Sequence, residues 1–146
     1  MTTPQDRQAA LVARFADIDD WEERYRQIIK LGRDLDDLPE ELKTDKLKVQ
    51  GCQSQVWLHA ELQGDGTVRF RADSDAMIVR GLIAMLLEVY SSAAPKEILS
   101  TEPAFIAEIG LESHLSPTRT NGLRSMIEQM LYYAKAFEVL ALARQR

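Results

Sequence analysis

Between Gln55 and Ala72 the apolar residues change period, and that change limits the fold more than any other feature of the chain. Val56, Leu58, Ala60 and Leu62 alternate with Gln55, Trp57, His59 and Glu61, the pattern of a half-buried strand. Gly64-Asp65-Gly66 follows as a turn, and Val68, Phe70 and Ala72 resume the alternation on a returning strand. Leu47 and Val49 suggest a further short strand before the loop that carries Cys52.

Helical spacing governs the rest. Thr3-Pro4 opens a first helix, with threonine as cap and proline in the first turn, and Leu11, Val12 and Phe15 form its stripe. Asp20 caps a second, carrying Trp21, Tyr25, Ile28 and Ile29, with Glu22 and Glu23 favourably placed for the helix dipole. Gly32 is its expected stop. Residues 33–46 read as an irregular connection. Asp73-Ser74-Asp75 read as the cap of a strongly apolar helix bearing Ile78, Val79, Leu82, Ile83, Leu86, Leu87 and Tyr90. Pro95 and Pro103 begin two short helical pieces, the second ending near Gly110. After Ser116-Pro117 a long last helix presents Leu123, Met126, Ile127, Met130, Leu131, Phe137 and Leu140. The expected fold is α+β: a small antiparallel sheet of about three strands backed by helices, in one domain over residues 1–146.

Composition narrows the function classes. The 146 residues are 45% apolar and 28% charged, which excludes wholesale disorder. A net charge of −5 gives no general attraction to nucleic acid or anionic membrane, so neither is expected as a partner. The apolar stretch from Gly81 to Leu87 is too short to span a bilayer. Residues 1–7 lack the basic-then-apolar order of a secretory signal, and a lone cysteine forms no internal disulfide, so the cytoplasm is the expected compartment.

That lone cysteine, Cys52, lies in Val49-Gln50-Gly51-Cys52-Gln53-Ser54-Gln55-Val56-Trp57. Gly51 permits a sharp turn, and the polar flanks place the thiol where another molecule can meet it. The thiolate is the nucleophile, and attack on a sulfur–sulfur bond depends on thiolate fraction, leaving group and access. One cysteine suffices for a sulfur relay, whereas a disulfide oxidoreductase wants a second. A metal or cluster site is poorly supplied, since His59 and His114 fall on different elements with no third ligand. Inert packing of Cys52 is the competing reading.

Three blocks resemble the SufE family of sulfur acceptors: residues 49–57 around the cysteine, 72–82 (Ala72 to Leu82) and 115–123 (Leu115 to Leu123). They occur in the family's order and span nearly the whole chain. The sister CsdE branch is similar but usually differs in the tripeptide after the cysteine, and Gln53-Ser54-Gln55 favours the SufE side. The resemblance implies a SufE/IscU-like fold. It implies that Cys52 takes persulfide sulfur from a SufS-type cysteine desulfurase, stimulates that enzyme and passes sulfur to a SufBCD scaffold for iron–sulfur cluster assembly. Pyridoxal phosphate would belong to the desulfurase; no cofactor and no metal of the chain's own is expected, nor independent turnover. Gly51, Gln53, Ser54 and Gln55 would support the loop, with Gly51 as a hinge. Arg119 is assigned to partner docking or to stabilising the sulfur anion, set against a plain surface arginine. Asp73 and Asp75, read above as caps, would also contribute to the desulfurase interface. Trp57 would shield the sulfur or pack against a helix. A CsdE-like acceptor, a stand-alone cysteine enzyme and a pure binding module are the alternatives. Cys52 is expected to rest partly sheltered, because an exposed persulfide would be stripped by other thiols.

Overall fold

Thr3 and Asp6 close a reciprocal capping box that starts α1 (Pro4–Ala16). Asp20 accepts the Glu22 N–H and starts α2 (Trp21–Asp34). These elements belong to a computed structural model that describes residues 2–144. Gly32 does not stop α2, which continues to Asp34. It is buried instead where α2 crosses α3 (Met77–Tyr90). A Cβ on Gly32 would come within 2.7 Å of the Gly81 nitrogen, and one on Gly81 would land on the Ile28 carbonyl oxygen. The two glycines therefore serve the close approach of two helix backbones rather than a helix end.

The hairpin forms as its alternation predicts. β1 (Val56–Leu62) pairs antiparallel with β2 (Val68–Ser74), in a register running from Val56 opposite Ser74 to Leu62 opposite Val68. The expected third strand shrinks to a single bridge, Lys48 opposite Trp57, with the Val49 N–H donating to the Val56 carbonyl at 2.9 Å. Residues 45–47 form a 3-10 turn and Gly51 turns the chain again, so almost no extended backbone remains to pair.

The expected caps of α3 are also reassigned. Asp73 and Ser74 finish β2, the residue preceding the helix is Ala76, and only the Ser74 hydroxyl accepts from its N–H, at 3.2 Å. α4 (Pro95–Leu99) begins at its proline. α5 (Phe105–Ile109) begins two residues after Pro103 and ends on Gly110, whose φ of 88° is the left-handed cap that glycine accepts. α6 (Leu111–His114) leads to α7 (Pro117–Arg144). The first half of α7 buries Leu123, Met126, Ile127 and Met130 in a core shared with α1, α3 and the inner face of the hairpin. Its burial ends at Ala134. Leu140, expected in the core stripe, is 49% exposed because the helix outruns what it packs against. No described helix is long and apolar enough to cross a membrane.

Candidate site around Cys52

Gly51 has φ of +89°, a conformation costly for residues with a Cβ. A Cβ there would also approach Ser125 Oγ to 2.6 Å, so the cysteine loop lies directly on α7. One residue on, the Cys52 thiol donates to the Gly122 carbonyl, Sγ to O 3.6 Å. Gly122 lies directly under the thiol, and a Cβ there would stand 3.5 Å from Sγ, in ordinary van der Waals contact. Cys52 is half-buried, and that burial pushes the thiol pKa above its ordinary value by disfavouring the charged form.

The thiol opens onto a cavity of about 210 Å³. Its buried wall is apolar, from Val56, Val79, Leu82, Leu123 and Met126. Its mouth is polar, from Gln53 and Ser54 on the loop and Ser116, Thr118 and Arg119 at the start of α7. Ser116 organises that helix start: its hydroxyl accepts the Arg119 N–H at 3.3 Å and its carbonyl accepts the Thr120 N–H at 3.0 Å. The Arg119 side chain is exposed at the rim and has no hydrogen-bond or ion-pair partner among the described residues.

Gln55 anchors the far end of the loop. Its N–H donates to Asp75 Oδ1 at 3.0 Å, and the Asp75 N–H returns a bond to the Gln55 carbonyl at 3.3 Å. Asp75 thus fastens the cysteine loop rather than capping α3. Asp73 plays a different part. It is 1% exposed, and its carboxylate accepts from the Leu38 N–H at 3.0 Å and from Arg80 at 2.5 Å, with Lys43 at 3.6 Å. Arg80 also donates to the carbonyls of Gly32 and Leu35. Asp73 therefore knits β2 to the chain after α2, and its burial leaves no surface for a partner to touch.

Trp57 and His59 lie on the opposite face of β1 from Val56 and do not line the cavity. Trp57 is 9% exposed under Lys43, whose Nζ is 5.6 Å from the ring centroid, so it packs and does not shield the sulfur. His59 has its pKa lowered, by desolvation first and Arg71 second, and is not placed to take a proton from Cys52. Among the described residues no group of three or more His, Cys, Asp or Glu side chains is arranged to hold a metal ion.

The residues missed as site members are Val56 in the cysteine block and, beyond it, Val79, Leu82, Ser116, Thr118, Gly122, Leu123 and Met126. Of those beyond it, all but Met126 fall inside the second and third sequence blocks, which therefore meet the cysteine block around one cavity.

Comparison with known proteins agrees with this convergence. The family described as "SufE: Fe-S metabolism associated domain" matches residues 9–134. The chain belongs to the SufE family. An uncharacterized SufE-like protein of Rhizobium meliloti is 45% identical over 124 residues, covering 82% of this chain and 89% of that one. One of Synechocystis is 40% identical over 131 residues, covering 90% and 82%. The solution structure of a hypothetical protein from Thermus thermophilus superposes with a TM-score of 0.77 at 21% identity, covering 95% of this chain and 99% of that one, which shows a shared fold. Membership places the chain among SufE-type sulfur-transfer accessory proteins, a family that works with cysteine desulfurases.

Proposed function

We propose that this SufE protein accepts sulfane sulfur on Cys52 from the persulfide of a SufS-type cysteine desulfurase, stimulates that enzyme by clearing it, and releases the sulfur towards iron–sulfur cluster assembly on a SufBCD scaffold. The observation that carries the reading is the meeting of all three sequence blocks on the cavity that Cys52 faces. In the transfer, the Cys52 thiolate attacks the donor's outer sulfur, a new S–S bond forms, and the donor leaves as a thiolate. The pyridoxal phosphate that generates the donor persulfide belongs to the desulfurase.

Burial suits the carrier to rest. A thiol with a raised pKa is mostly protonated at neutral pH, and a walled persulfide is slow to meet other thiols. Reaction then requires the loop to leave its seat on α7, with Gly51 as one hinge and the Asp75–Gln55 pair as its fastening. Arg119, free at the rim, meets the anionic sulfur or the donor surface. A stand-alone cysteine enzyme is disfavoured because, among the described residues, no histidine or carboxylate lines the cavity to act as base.

The test is desulfurase turnover with this protein added. Stimulation by the wild type and none by Cys52→Ser supports the relay. Equal stimulation by both would reject it and favour a binding module.

A further inference from the structure

The cavity beside Cys52 exceeds what one sulfur atom requires. A persulfide adds a single atom about 2.05 Å from Sγ. The volume of about 210 Å³ would hold several waters at about 30 Å³ each. The distribution of polarity is equally telling. Val79, Leu82 and Met126 form a buried apolar wall, whereas Thr118 and Arg119 are exposed at the mouth. Internal atoms of a sulfur chain are uncharged and polarizable, which matches that wall and the Met126 thioether. The negative charge of such a chain rests on its last atom. With one added sulfur, that charge is held within a bond length of a half-buried thiol, where desolvation is costly. A longer chain can set that charge at the exposed mouth of the same cavity, which Arg119 lines.

We infer that Cys52 carries a short polysulfide, more than one sulfane sulfur at a time, with neutral sulfurs along the apolar wall and the charged end at the Arg119 rim. This rests on the sulfur-carrier reading above and specifies its cargo. Extension repeats the loading chemistry. The terminal sulfur of Cys52–S–S⁻ attacks the outer sulfur of a fresh donor persulfide. An S–S bond forms between them and the donor's own S–S bond breaks. The donor departs as a thiolate with the electron pair, and the proton of its persulfide stays on the new terminal sulfur. Sulfane sulfur is passed without change of oxidation state, so no outside oxidant is needed.

The experiment incubates the full chain with a cysteine desulfurase and excess cysteine, removes small molecules without reductant, and counts sulfur on Cys52 by intact-mass spectrometry. A ladder of one, two and more added sulfurs, erased by dithiothreitol, is expected. Leu82→Phe, and the milder Val79→Leu should the first not fold, fill the cavity and should cut the ladder back to one. A single sulfur on the wild type, despite many donor turnovers, overturns the polysulfide and leaves the relay standing. No added sulfur at all overturns both. A full ladder on a folded, cavity-filled variant removes the cavity from the account.

Discussion

Asp75 and Gln55 hold one another by two hydrogen bonds, from the Gln55 N–H to the Asp75 carboxylate and from the Asp75 N–H to the Gln55 carbonyl. One partner begins the chain into α3 and the other ends the cysteine loop, so the pair sets how readily Cys52 leaves its seat. A hydrogen bond to a charged acceptor contributes about 1.5 kcal/mol or more, close to a factor of ten in an opening equilibrium. Asp75→Ala should therefore raise the alkylation rate of Cys52 about tenfold while far-UV circular dichroism stays native. An unchanged rate would show that the pair does not hold the loop.

Gly51 carries two separable constraints. Its left-handed backbone costs a residue with Cβ about 1–2 kcal/mol, and the approach to Ser125 Oγ adds a steric cost. Gly51→Ala should lose stability in urea titration by more than the backbone cost alone. Adding Ser125→Ala leaves only a contact of 3.5 Å and should recover the steric part. Failure of the second substitution to restore anything would mean that the loop does not rest on α7.

The α2–α3 crossing depends on Gly81 lacking a side chain over the Ile28 carbonyl. Gly81→Ala gains helix propensity of about 1 kcal/mol, yet overpacking against backbone costs about 3 kcal/mol. Net destabilisation in urea is expected, and a neutral or stabilised variant would contradict the crossing.

The pH dependence of Cys52 follows from its burial. Desolvation disfavours the thiolate, so its pKa in the folded protein lies above that in the unfolded chain. The protonated thiol therefore contributes stability that is fully present below the unfolded pKa and lost as pH rises through the folded one. Alkylation of the free protein should reach half its maximal rate at higher pH than a model peptide. In the presence of a desulfurase that draws the loop out, the midpoint should fall back. A folded protein titrating below the peptide would invert this account.

Much of the fold was legible because local chemistry and packing agree. The Thr3 and Asp20 caps, the Gly64–Gly66 turn and the Gly110 stop each serve the structure as their residue types predict. Three of the misreadings share one cause, since residues expected to act locally act across the fold. Gly32 serves a helix crossing, Asp73 a buried ion pair with Arg80, and Asp75 a loop twenty residues away. The thiol was legible from its flanks. Its cavity was not, because Val79, Leu82 and Gly122 look like ordinary helix residues until the chain folds them against Cys52.

The most direct measurement follows sulfur itself, through mass analysis of peptides after the protein is mixed with a cysteine desulfurase and cysteine. Reductant-labile sulfur should reside on the peptide bearing Cys52 and be absent from Cys52→Ser. Reductant-labile sulfur found only elsewhere, or a wild-type Cys52 still unmodified while the desulfurase is stimulated, would contradict the relay.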